Sequence, residues 1–231
     1  MAGLRGVVFD AYGTLFDVHS IAKRVERRFP GAGTAISSIW REKQIEYSRL
    51  VTLSDPSDSG SRHYHSFWDL TRSALVYSLR KLTLRHSTAD IDDLMSGYAQ
   101  LDAYPECLAV LQALKERGFV TAILSNGSPE MLKVAADSSG LTPWLDHLIS
   151  VDAVRQFKTN PACYALASRV LCLPTESLLF VSSNGWDVVG ARWFGFPTCW
   201  VNRQGLPVET IGEPPHHTCD MLDGALAFVN R

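Results

Sequence analysis

The chain lacks any apolar run approaching the roughly 18 residues that a membrane-spanning helix needs. Near its start the apolar stretch Val7-Val8-Phe9 is broken at Asp10, well short of the roughly 7–15-residue centre of a secretory signal. A soluble, cytoplasmic protein is the expectation. It also lacks an excess of either charge: 22 Lys and Arg stand against 24 Asp and Glu, a formal net charge of −2. No global field draws it to nucleic acid or an anionic membrane, so a partner must be selected by a local site. Paired cysteines are missing as well. Cys107, Cys163, Cys172, Cys199 and Cys219 are odd in number and scattered, without the paired short spacings that a zinc site or redox motif needs, which predicts reduced, mostly buried thiols. With 16 Gly and 11 Pro in 231 residues, the composition is that of an ordinary globular chain. That length allows one large domain, or a core carrying a smaller insertion.

Three apolar runs end in small polar residues and glycine. Gly6-Val7-Val8-Phe9 leads into Asp10-Ala11-Tyr12-Gly13, Thr121-Ala122-Ile123-Leu124 into Ser125-Asn126-Gly127, and Leu178-Leu179-Phe180-Val181 into Ser182-Ser183-Asn184-Gly185. Continuous runs of this kind suit strands buried on both faces. Helical stretches lie between them, among them Glu106–Arg117 behind Pro105 and Ala162–Leu171 behind Pro161, with Asn160 as its cap. Strands alternating with helices predict an α/β fold with a Rossmann-like, doubly wound parallel sheet. Ligands in such sheets sit beyond the carboxyl ends of the strands, where Asp10, Ser125 and Asn184 fall.

Residues 17–100 break the alternation and hold no persuasive strand. They are read as an inserted helical cap, with residues 1–16 and 101–231 as the core domain. Ile36, Ile39, Trp40, Lys43, Tyr47 and Leu50 recur at three- and four-residue spacing, which predicts a helix over Thr34–Val51. A polar loop from Ser54 to Gly60 ends it, and further helices are expected near Phe67–Leu82 and Ala89–Gln100.

A carboxylate at a strand-end turn can act as a nucleophile or simply cap the turn, and Asp10 with Gly13 three residues on leaves both open. The longer run Val7–Asp17 resembles the first motif of the haloacid dehalogenase superfamily. Ser125-Asn126, Lys158 and Ser183-Asn184 with Asp187 stand where its other motifs should. Asp10-Ala11-Tyr12-Gly13-Thr14, Trp40-Arg41-Glu42-Lys43-Gln44-Ile45-Glu46-Tyr47, Leu124–Pro129 and Phe180–Asp187 are similar to the (S)-2-haloacid dehalogenases.

The resemblance implies a cofactor-independent hydrolase in which Asp10 attacks the alpha carbon of a 2-haloacid and water hydrolyses the aspartyl ester. It implies Lys158 beside Asp10, Asp187 orienting Lys158, and Thr14, Ser182 and Asn184 completing the catalytic group. Tyr12, Arg41, Ser125, Asn126, Tyr164, Trp186, Ile45 and Phe67 would hold substrate or halide, and the protein would be a homodimer. Superfamily phosphatases carry a second Asp at the position of Tyr12, to protonate a leaving alkoxide. A halide needs no proton but does need its growing charge stabilised, so Tyr12 fits dehalogenation. The alternatives are a magnesium-dependent phosphatase of the superfamily and a non-catalytic binding protein on this fold. Two departures stand out: Thr159 where relatives have Pro, and Glu42 where they often have Gln.

His63-x-His65 and His216-His217-x-Cys219 are locally dense. No third or fourth ligand follows at zinc spacing, and the second group falls in a Pro-rich loop, so no metal site is expected.

Overall fold

The computed structural model describes residues 3–57 and 59–229; Asp58, within the polar loop expected after the first cap helix, lies outside them, as do the outermost residues of the expected core. Chain order begins with β1 (Gly6–Phe9), then four helices, α1 (Ala22–Arg28), α2 (Gly33–Ser54), α3 (Phe67–Lys81) and α4 (Thr88–Ala99). It continues through α5 (Cys107–Glu116), β2 (Val120–Ser125), α6 (Pro129–Ser138), β3 (His147–Ser150), α7 (Pro161–Leu171) and β4 (Leu178–Ser182). It ends with α8 (Gly185–Phe194), β5 (Thr198–Val201), β6 (His217–Cys219) and α9 (Gly224–Val229). The strands form one sheet in the order β3-β2-β1-β4-β5-β6, and every neighbouring pair is parallel.

The three apolar runs become the three central strands. Val7 pairs with Thr121 on one side and Leu179 on the other, and Val8, Phe9, Ile123, Leu124, Phe180 and Val181 are fully buried, as helices on both faces of the sheet require. The order of the strands reverses direction between β1 and β4, which is the switch point where such sheets open a crevice at their carboxyl ends.

Helix boundaries follow local chemistry. The Asn160 side chain accepts from the Ala162 N–H at 2.9 Å and Pro161 occupies the first turn, so α7 starts with one orphan amide satisfied and another removed. Ser87 and Asp90 form a reciprocal capping box at α4. Helix α2 runs from Gly33 to Ser54, longer at both ends than its apolar spacing predicts. Helix α1 was not expected; it is seven residues long and buries only Val25, too little to show a period.

Helices α2–α4 pack over the strand ends. The Trp40 indole donates to the Thr71 carbonyl at 2.8 Å, and Gln44 donates to the Thr71 hydroxyl at 3.0 Å, tying α2 to α3. Tyr98 of α4 stacks on Tyr12 with centroids 5.6 Å apart. The chain enters and leaves this helical layer at one place: the Asp17 N–H donates to the Asp102 carbonyl at 2.8 Å, and the Tyr104 N–H to the Leu15 carbonyl at 2.9 Å.

Candidate active site

Asp10 follows β1 and continues its pairing with β4, its N–H bonded to the Val181 carbonyl at 2.9 Å. The carboxylate therefore leaves the sheet at the switch point. The tight turn after it needs Gly13, whose φ of 92° lies in the left-handed region. Asp10 is only 6% exposed, yet both oxygens are satisfied. Oδ1 accepts from the Lys158 ammonium at 3.2 Å. Oδ2 accepts from the Thr14 hydroxyl at 3.1 Å and from the Asn184 amide at 2.8 Å. Thr14 in turn accepts the Ser183 N–H at 2.8 Å, so the β1 and β4 loops hold each other.

Lys158 is 1% exposed and bridges two carboxylates, with Asp187 Oδ2 at 2.9 Å. Burial alone would lower the lysine pKa, but the charges of Asp10 and Asp187 outweigh it and hold that pKa above its ordinary value. Burial pushes the Asp187 carboxyl up to about 6, against the opposing pull of Lys158. The Lys158 N–H donates to the Asn126 side-chain oxygen at 3.0 Å, which positions the lysine loop from the end of β2. The Lys158–Thr159 peptide bond is cis.

From the helical layer, Arg41 of α2 reaches the Asn184 side-chain oxygen at 3.1 Å and the Tyr12 carbonyl at 3.4 Å. Tyr12 and Phe67 build an aromatic wall, with ring centroids 6.1 Å apart. Among the described residues the buried Tyr12 hydroxyl has no hydrogen-bond partner, and burial, followed by the nearby Tyr98 and Asp10, drives its pKa well up. It therefore stays a neutral donor beside the nucleophilic position. A groove of about 590 Å³ between α2 and the strand ends is bordered by Arg41, Ile45, Asn184 and Trp186. Glu42 also borders that groove and is exposed.

Ser125 and Ser182 use their hydroxyls within their own loops, accepting from the Gly127 N–H and the Asn184 N–H, each at 3.1 Å. Tyr164 departs from the expectation that it contacts substrate. Its ring is fully buried in a cluster with Phe180, Phe194 and Phe196, and its hydroxyl donates to Asp187 Oδ1 at 2.7 Å. It stands behind Asp187, because the helix face that points at α8 is the core face. Two residues that sequence reasoning passed over border the site: Tyr98, stacked on Tyr12, and Arg203, which donates to the Thr14 carbonyl at 3.1 Å. Tyr98 sits at a periodic core position and carries no signal beyond that; Arg203 lies in a loop without a motif.

Strand pairing brings to His217 and Cys219 a third ligand group that linear spacing does not show. Those residues form strand β6 rather than loop, and the neighbouring β5 brings Cys199 to them. His63 and His65 remain exposed.

A parallel 3-2-1-4-5-6 sheet with a buried Asp–Lys–Asp group at its switch point, roofed by helices, defines an α/β enzyme that works with charged side chains. Residues 4–195 match the haloacid dehalogenase-like hydrolase family, and the chain belongs to that family. It is 43% identical over 212 residues to an (S)-2-haloacid dehalogenase of Pseudomonas sp. (strain YL), covering 92% of this chain and 88% of the relative. It is 38% identical over 229 residues to haloacetate dehalogenase H-2 of Moraxella sp. (strain B), covering 99% of each. The L-2-haloacid dehalogenase structure from Xanthobacter autotrophicus with chloropropionic acid covalently bound superimposes with a TM-score of 0.89, at 38% identity and 98% coverage of each chain.

Proposed function

We propose that this protein hydrolyses short (S)-2-haloalkanoic acids to (R)-2-hydroxyalkanoic acids and halide, with haloacetates as further substrates. The observation that carries the reading is the Asp10 carboxylate. It is nearly sealed from water and held at both oxygens by Lys158, Thr14 and Asn184, beside a half-buried arginine. The names of the relatives and the chloropropionic acid covalently bound in the Xanthobacter enzyme support the same assignment.

In this mechanism one Asp10 oxygen attacks the alpha carbon in line, forming the C–O bond as the carbon–halogen bond breaks. The halide departs toward Arg41, the Asn126 amide and the Trp186 indole, and the Tyr12 hydroxyl offers a further donor. Ser125 and Lys158 face the substrate carboxylate. Water then attacks the ester carbonyl carbon of Asp10, giving one proton to Asp187; the bond from that carbon to the product oxygen breaks, the leaving oxygen takes the proton from Asp187, and Asp10 returns to its carboxylate as the remaining proton passes to solvent. Ser182 holds the Asn184 loop and Tyr164 holds Asp187, both as positioning residues. Residues 17–100 act as a cap over the core formed by residues 1–16 and 101–231. The exposed Leu50 and Leu53 of α2 and Tyr77 of α3 support a homodimer made through that cap.

A magnesium-dependent phosphatase is disfavoured by the donor set. Both Asp10 oxygens already face hydrogen-bond donors, and the Tyr12 carbonyl faces the Asn184 amide and Arg41, where a metal would need acceptors. Tyr12 also cannot supply the leaving-group acid.

The test is a single turnover in oxygen-18 water, with enzyme in excess over (S)-2-chloropropionate. Unlabelled (R)-lactate, with the label in the peptide containing Asp10, is the expected result. Label in the lactate hydroxyl with Asp10 unlabelled means direct attack by water, and racemic lactate excludes in-line displacement. Chloroacetate turnover should survive exhaustive chelation, and strong magnesium-dependent hydrolysis of p-nitrophenyl phosphate would overturn the assignment.

A further inference from the structure

Three soft or borderline ligand groups meet at the β5–β6 edge, outside the Asp10 group. In the parallel register Cys199 pairs with His217 and Val201 with Cys219. Side chains alternate along a strand and facing partners share a face, so Cys199, His217 and Cys219 all project from the same side of the sheet. Their ligand atoms lie within 4.8 Å of one another. Helix α9 packs against this cluster: the His217 ring stacks on Phe228 with centroids 5.4 Å apart. At the start of α9, a Cβ on Gly224 would fall 2.3 Å from the Cβ of Cys219. Glycine is what lets the helix approach so closely.

The spacing discriminates between two uses of the sulfurs. The Cys199 and Cys219 Sγ atoms are 3.6 Å apart. A disulfide requires about 2.05 Å, whereas two thiolates at about 2.3 Å from a tetrahedral zinc stand about 3.8 Å from each other. The observed separation excludes a disulfide and fits two ligands on one ion as well as an S–H···S contact between two thiols. The histidine is arranged to match: its Nε2 is 3.2 Å from the Gly224 carbonyl oxygen. A ligating histidine characteristically donates its second N–H to such an acceptor, which leaves the lone pair on Nδ1.

We propose that Cys199, His217 and Cys219 form a binding site for one thiophilic divalent cation, zinc by preference, with water in the fourth position. Two cysteines and a histidine favour zinc over the oxygen-seeking magnesium or calcium. Uptake releases the two thiol protons to solvent and leaves a dithiolate on the ion. The site clips β6, a three-residue edge strand, to β5 on one side and to the start of α9 on the other, and so fastens the C-terminal part of the sheet. It shares no side chain with the Asp10 group, so the proposed dehalogenation does not depend on it.

The test uses the full-length, reduced protein purified without a metal-affinity tag. It is equilibrated with Zn²⁺, freed of loose metal by gel filtration and analysed for zinc by mass spectrometry, with Co²⁺ as a spectroscopic substitute. About one equivalent of zinc per chain is expected, with a thiolate-to-cobalt charge-transfer band and the intense visible bands of a tetrahedral site. The melting temperature should rise with added zinc. Cys219→Ser and His217→Gln should each weaken uptake at least about tenfold, and Cys172→Ser, at an exposed thiol, should leave it unchanged. If either site variant fails to fold by circular dichroism, the wild-type cobalt spectrum decides by itself: absence of the thiolate band overturns the proposal. Uptake that survives both substitutions overturns it too. So does a Cys199–Cys219 disulfide in protein isolated without reductant, if the reduced protein takes up no metal.

Discussion

Asp187 gives the site a carboxyl that titrates within reach of neutral pH. Burial raises its carboxyl to about 6 from an ordinary 3.8, and as the proposed acceptor of the water proton it must be ionised to work. The turnover rate for chloroacetate should therefore climb as pH rises through about 6 and then level off, measured by halide release across buffers. Asp187→Asn should remove that limb along with most of the activity. The same shift acts on stability in the opposite direction. A carboxyl with a raised folded-state pKa contributes stability below its unfolded value and loses it as pH rises past 6. The urea midpoint of Asp187→Asn should thus gain on the wild type from about pH 4 to about pH 7. Arg41→Ala should depress turnover about 10²–10³-fold, the usual loss for one charge-stabilising donor, with circular dichroism unchanged. Unaltered turnover would make Arg41 an ordinary helix charge. Thr14 and Asn184 were legible at Asp10 because each stands in a short polar motif after an apolar run, whereas Lys158, which alone reads as a surface lysine, was placed there only by the family resemblance. Tyr164 was legible as important but not as a support, since an aromatic on an amphipathic helix reads alike whether it faces a ligand or a neighbouring helix. The meeting of Cys199 with His217 and Cys219 was invisible, because strand register brings them together and linear spacing does not contain it.

Among the elements, α7 and α8 carry the most demanding packing. A Cβ on Gly190 would fall 2.5 Å from the Tyr164 hydroxyl oxygen and 2.7 Å from the Thr159 Cγ2, against the two groups that flank Asp187 and Lys158. Gly190→Ala should cost about 1–3 kcal/mol by overpacking, read from urea denaturation, and should also lower turnover by displacing Tyr164 from Asp187. A loss of stability with turnover intact would detach the Tyr164 contact from catalysis. Asn160→Ala, which removes only the cap of α7, should cost about 1 kcal/mol. The three central strands were legible from their unbroken apolar runs. Strands β3, β5 and β6 were not, because they are three or four residues long and include His147, Ser150, Thr198, His217 and Thr218. Only part of β3 is buried and β6 is at most half-buried, so the run that marks a strand disappears there, whereas β5 is buried throughout and escaped because Thr198 and Cys199 interrupt its aliphatic pattern. Helix α1 escaped for the related reason that one buried valine makes no stripe.

For the molecule as a whole, the apolar side chains left uncovered set its association. Leu53 is 76% exposed and Leu50 61% exposed on one face of α2. If that face joins two copies, Leu50→Glu combined with Leu53→Glu should shift sedimentation from dimer to monomer, and a wild type that sediments as a monomer would remove the dimer from the reading. The neck between the two parts has a different consequence. Because the segment leaving at Leu15–Asp17 and the segment returning at Asp102–Tyr104 are bonded to each other, the helical segment can be exchanged through two splice points that lie at a single spot. Asp10, Lys158 and Asp187 stay behind in such an exchange, whereas Arg41, Ile45 and Phe67 travel with the segment. On the proposed assignment the nucleophile and the ester-hydrolysing groups are thus inherited with the core, and part of the halide and substrate contacts with the segment. A chimera carrying the corresponding segment of another haloacid dehalogenase would keep this chain's ester chemistry and adopt the donor's range of acids.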